Sequence, residues 1–185
     1  MWWRNSLRNS LRIAFVAALG ALNAACFQPL YASRSVAGGT PLGTQLAQVQ
    51  VEHIDAPNGT PESRVAVELQ EALNFEMSGG GGLISPTHRL KVRMTVGRSS
   101  IISDITTGRV LSEITGIDAT FTLTELATGK AVMNGRTFSR VSSDYPGQQQ
   151  RFARTRARLD AENRAAKVIA EAVRTRVASF FVAGT

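Results

Sequence analysis

Apolar positions recur with different periods along the chain, and each change of period marks an element. Leu46, Val49, Val51 and Ile54 interleave with Gln45, Gln48, Gln50 and Glu52, which predicts a first strand near 45–54. Residues 55–59 (DAPNG) carry turn chemistry. Thr60, Pro61 and Glu62 then supply a cap, a first-turn proline and an acid at the positive end of a helix dipole. Val65, Leu69, Ala72 and Leu73 fall on one face of that helix, and the glycines at 79–82 end it after Met77. Residues 89–96 alternate strictly. Leu90, Val92, Met94 and Val96 share one face, and Arg89, Lys91, Arg93 and Thr95 share the other. Arg98 is expected to extend this basic stripe. In residues 109–126, Val110 and Ile114 have one parity and Ile117, Ala119, Phe121 and Leu123 the other, which predicts a bulge or bend at Gly116. Residues 127–130 (ATGK) predict a hairpin turn, and 131–143 a fourth strand with weaker alternation around Val132 and Phe138.

Tyr145-Pro146-Gly147 breaks the chain before a long helix that reaches about Phe181. Phe152, Leu159, Ala166, Val173 and Phe180 recur every seven residues, with Ile169 and Val177 in the same stripe. Arg154, Arg158, Asp160, Glu162, Arg164, Lys167, Glu171 and Arg174 are assigned to the opposite, solvated face, where their signs mix. The order β-α-β-β-β-α, with one apolar stripe per helix, predicts an α+β fold. It is a two-layer sandwich, a mixed four-stranded sheet with two helices on one face.

The first residues do not fit that fold. Arg4, Arg8 and Arg12 precede an apolar run at 13–22, followed by Asn23, Ala24, Ala25 and Cys26. This is the layout of a secretory signal peptide. The position of Cys26 resembles a bacterial lipobox, with Ala24 and Ala25 as the small residues and Asn23 where the usual pattern has Leu. The expected organisation is a signal peptide at 1–25, a lipidated tether at 26–43 containing Pro29, Gly38, Gly39, Pro41 and Gly43, and one α+β domain at 44–185.

Composition narrows the chemistry. The chain has 185 residues and a net charge of +7. Removal of 1–25 takes three basic residues and no acid, leaving 160 residues at +4, so much of the basic character belongs to the signal peptide. With no recognisable binding motif, nucleic acid is not an expected partner. One Cys excludes an intramolecular disulfide framework, and one Cys with two His excludes a structural zinc site of the Cys₄ or Cys₂His₂ kind. The glycines at 79–82 lack the Lys and Ser/Thr of a P-loop, and there is no GxSxG or HExxH. Asp104 reads as a turn residue. No catalytic residue, metal ligand or cofactor site is assigned, and the chain is not expected to be an enzyme.

Binding and assembly remain. Residues 25–31 (ACFQPLY) resemble the mature start of the LPS-assembly lipoprotein LptE family, commonly CGFQPLY; the Gly is absent here. Residues 152–176 of the last helix are similar to the alphaproteobacterial form of that family, and the order of elements between them agrees. The resemblance implies an outer-membrane lipoprotein, lipid-anchored on the periplasmic side. It also implies a plug and assembly partner for the LptD β-barrel in lipopolysaccharide transport to the cell surface. Lipopolysaccharide carries clustered phosphates and carboxylates, and Arg89, Lys91, Arg93 and Arg98 are the candidate side chains for them. The alternatives are that these charges only solvate an exposed strand, and that the protein is a structural or adaptor lipoprotein of another envelope complex.

Overall fold

The structure, a computed structural model, describes residues 40–82, 84–145 and 151–183. Contacts divide the chain into units at Met1–Pro41 and Leu42–Thr185, and every helix and strand described belongs to the second. Its elements are α1 (Leu42–Ala47), β1 (Val49–Val51), α2 (Pro61–Ser78), β2 (His88–Ser103), β3 (Val110–Glu125), β4 (Ala131–Asp144) and α3 (Arg151–Ala183). The sheet order is β1-β2-β3-β4, parallel between β1 and β2 and antiparallel elsewhere. The expected α+β sandwich with a mixed four-stranded sheet is what the chain forms.

The first strand is shorter than expected. Leu42 and Leu46, four apart and buried, instead belong to a short helix, α1. Val49–Val51 then pairs with His88–Leu90, and Glu52 adds one more bond from its N–H to the Leu90 carbonyl, 2.8 Å. Beyond it, the Ile54 N–H is satisfied by Gln70 Oε1 of α2 at 3.1 Å, which holds buried Ile54 outside any strand.

Helix α2 starts and stops as its sequence dictates. The Ser63 N–H donates to Thr60 Oγ1 at 3.3 Å. At the other end Gly79 takes a left-handed φ of 61° and its N–H closes on the Phe75 carbonyl, a conformation that glycine adopts without penalty. Val65, Leu69 and Leu73 are fully buried against the sheet and α3.

The expected bulge at Gly116 is absent. Register runs unbroken through Gly97–Gly116 and Gly116–Arg140, and the shifts lie at Ser100–Ser103 and at Leu123/Thr124. The covered face of β3 keeps one parity throughout, but its residues change from Phe121, Ala119 and Ile117 to Thr115 and Glu113, all buried. A polar continuation of the core face thus mimics a change of parity. Gly116 has a different purpose: the Arg140 guanidinium lies across it, 3.0–3.1 Å from where a Cβ would stand. On the covered face Gly135 does the same for Phe121, whose Cζ is 2.3 Å from a Cβ position there. Weak alternation in β4 has a similar origin. Its inward residues Thr137, Ser139 and Ser143 are small and polar, and the buried stripe of α3 above the sheet is largely alanine.

Helix α3 spans 33 residues, roughly 50 Å at 1.5 Å per residue. Its stripe from Ala161 to Ala178 covers the sheet beside α2. Phe152, expected in that stripe, is instead 88% exposed, because the first turns run past the sheet's apolar part. Glu162, expected in solvent, is 2% exposed.

Candidate anion-binding face

Because α2 and α3 lie on one side, the other side of the sheet is open among the described residues. β2 presents Arg89, Lys91 and Arg93 there, opposite Thr124, Thr122 and Thr120 of β3. Strand rise sets neighbouring cations about 6.5–7 Å apart. Together with Glu52 these side chains line a shallow concavity of about 260 Å³. Lys91 Nζ meets Glu52 Oε1 at 3.2 Å, an exposed pair of small energetic weight. Arg89 and Arg93 have no ion-pair partner among the described residues. The floor of threonines adds hydroxyls that can donate or accept. This arrangement suits oxyanions such as phosphate or carboxylate, which guanidinium groups bind in pairs of parallel hydrogen bonds.

Three of the four candidate cations are therefore brought together, and Arg98 is not. Residue 98 has the opposite parity, so its side chain turns to the helix-covered face. Arg98 Nη2 donates to Glu162 Oε1 at 2.6 Å, and its Nε lies 4.0 Å from Glu113 Oε1. It belongs to a network in which Glu162 also pairs with Arg64 of α2. Glu113 accepts from the Tyr145 hydroxyl at 2.8 Å and from Arg158 Nη2 at 3.4 Å. The switch of side was foreseeable, since an odd-numbered stripe cannot include residue 98 without a bulge.

Strand β4 adds members that reading β2 alone could not supply. Register sets Arg136 opposite Thr120, Phe138 opposite Asp118 and Arg140 opposite Gly116 on the same open face. Asp118 holds Arg140 at 2.7 Å and Arg136 at 3.6 Å. Phe138 is 67% exposed beneath the Arg140 guanidinium, 5.6 Å from its ring centroid. The one basic row is in fact the near side of a broader cationic surface, divided by Asp118.

Two titrating groups border this picture. His88, beside Phe181, has its pKa lowered by burial, partly offset by Glu125, so it is neutral at pH 7 and adds no charge to the stripe. The backbone N–H groups of Thr106 and Thr107 hold the Asp104 carboxyl below its usual range, consistent with a turn residue. Among the described residues no group of His, Cys, Asp and Glu is placed to hold a metal ion, and no helix is long and apolar enough to cross a membrane. Cys26, the expected lipidation site, lies outside the described residues, as do the expected signal peptide and nearly all of the tether.

No family model matches the chain, and no curated protein matches it. Solved structures do. A candidate lipoprotein from Caulobacter crescentus superposes with a TM-score of 0.56 at 19% identity, covering 78% of this chain and 97% of that one. A minor lipoprotein from Acinetobacter baumannii gives 0.50 at 12% identity over 72% and 92% of the two chains. A DUF330 protein from Xanthomonas campestris gives 0.50 at 16% identity over 75% and 88%. The fold is shared. At these identities the likeness concerns the fold alone.

Proposed function

We propose that this protein is a lipid-anchored envelope subunit that plugs and helps assemble an LptD-type outer-membrane β-barrel, and that its open sheet face binds lipopolysaccharide. The observation that carries the reading is the row Arg89, Lys91 and Arg93 over a threonine floor, on the side of the sheet that no helix among the described residues covers. Phosphates and carboxylates of the lipid A and core region complement such a row. Resemblance of residues 25–31 to the LptE family supports the partner, and the lipoproteins that share the fold support the class. A polar outer surface also suits a barrel lumen, which is itself polar. Cys26 carries the anchor in this reading, on the periplasmic side of the outer membrane. The role is binding and assembly, without chemical catalysis and without a cofactor.

A second reading has its own support. The fold also occurs in a minor lipoprotein and in a DUF330 protein, and neither description specifies a barrel partner. An adaptor lipoprotein of another envelope complex would look the same in its covered half. Affinity purification of the lipidated protein from outer membranes separates the two. Recovery of an LptD-sized barrel supports the first reading, and recovery of another envelope complex with no barrel supports the second.

A further inference from the structure

We propose that the end of the molecule formed by the β2–β3 turn and the first turns of α3 docks on an anionic lipid surface. This end is distinct from the basic row: Ile102 is nine residues along β2 from Arg93, roughly 30 Å by strand rise. Two contacts fix the helix to the turn. Arg154 Nη2 donates to the Val110 carbonyl at 3.0 Å, and its guanidinium lies 4.8 Å from the Tyr145 ring centroid. The Tyr145 N–H in turn donates to the Leu111 carbonyl at 2.8 Å.

Apolar side chains are exposed here as nowhere else in such density among the described residues. Ile101, Ile102, Ile105 and Leu111 stand out from the hairpin, and Phe152 from α3. Ile105, at the tip, is fully exposed. Its position is built: Asp104 Oδ1 accepts from the Thr106 and Thr107 N–H groups, and the Gly108 N–H closes on the Asp104 carbonyl at 2.8 Å. An ordered turn thus holds an isoleucine outward.

The same two segments carry cations. Arg109, Arg151, Arg154 and Arg156 lie on the turn and the first turns of α3. The acids of this end are Asp104, engaged by the turn N–H groups and by the charge of Arg109, and Asp144, which accepts from Ser112 Oγ at 2.7 Å; Glu113 is buried with Tyr145 and Arg158. Exposed aliphatic side chains on segments that also carry arginines match a headgroup layer, where apolar tips enter the acyl boundary and cations meet anionic headgroups.

The test uses the full chain with Cys26→Ser, so that a new thiol is unique, and a dye attached at Ile105→Cys or, in the opposite turn, at Thr128→Cys. Vesicles contain phosphatidylglycerol or only phosphatidylcholine, each with acyl-brominated lipid as a depth-limited quencher. The expected result is quenching at position 105 in phosphatidylglycerol vesicles and none at position 128. Arg151→Glu/Arg156→Glu, which changes exposed residues, should weaken that partitioning by about tenfold or more. Absence of quenching at 105, equal quenching at both positions, or equal quenching in phosphatidylcholine would each overturn the proposal. A dye at 105 shielded only in membranes that hold barrel proteins would assign the tip to a protein partner and overturn it equally.

Discussion

The charges of the covered face and the basic row of β2 on the open face are the same in kind and opposite in state. On the covered face, arginines from α2, β2 and α3 converge on two carboxylates, Glu162 and Glu113, and each of Arg64, Arg98 and Arg158 is matched. On the open face Asp118 holds Arg136 and Arg140, but in the β2 row Arg89 and Arg93 have no counter-ion among the described residues and Lys91 has only an exposed one. Matched charge under a helix fixes geometry, because an uncompensated buried ion would be costly. Unmatched charge over hydroxyls leaves binding capacity for an external anion. The difference separates residues that hold the domain together from residues available to a ligand, although β2 contributes to both sets.

Substitutions sharpen that separation. The largest effect is expected in the apolar part of the covered face. Val173→Asp places a charge among fully buried neighbours and should cost several kcal/mol, a large share of the ~5–15 kcal/mol a domain has. Glu171→Ala, two residues away and exposed, should stay within about 0.5 kcal/mol. Thermal melts of both variants check the pair, and equal melting temperatures would break the assignment of faces on α3.

Next comes the polar part of the covered face. Glu162→Ala removes the acceptor shared by Arg64 and Arg98. Because both arginine side chains keep some access to water, the cost should be about 2 kcal/mol, below that of a fully buried pair. Denaturant titration measures it, and a loss under about 0.5 kcal/mol, the scale of an ordinary surface substitution, would mean that the network does not fix α3 to β2.

Of similar size is the effect of Gly135→Ala. The added methyl meets the Phe121 ring, and relief of that overlap by a shift of the ring should cost about 1–3 kcal/mol. An unchanged melting temperature would show that Phe121 is not held over the glycine.

Much of this organisation was legible in the residues. Strict alternation at 89–96 announced β2 and its basic row, and Thr60-Pro61 with the glycines at 79–82 bounded α2. What stayed hidden had a common cause: polar residues occupying buried positions. Thr115 and Glu113 continue the core face of β3, so the apolar positions taken alone change parity at Gly116. Glu162 reads as a solvent residue until Arg64 and Arg98, distant in sequence, are brought to it. The same network withdraws Arg98 from the candidate site. Arg136, Phe138 and Arg140 join the open face only through the register of β3 with β4, which one strand's pattern does not contain. The short helix at Leu42–Ala47 stays hidden because the pattern divides it, with Leu42 in the expected tether and Leu46 among the apolar positions of the expected first strand.

The most direct measurement is a titration of lipopolysaccharide with the wild-type protein and with Arg89→Glu/Lys91→Glu/Arg93→Glu, alongside circular dichroism of both. These side chains lie outside the core, so the variant should remain folded. Wild-type binding should weaken as salt rises, since exposed charges are screened over about 8–10 Å at physiological ionic strength. The account predicts that the folded variant loses most of this binding. A folded variant that binds lipopolysaccharide as well as the wild type would contradict it and reduce the basic row to a solvated strand face.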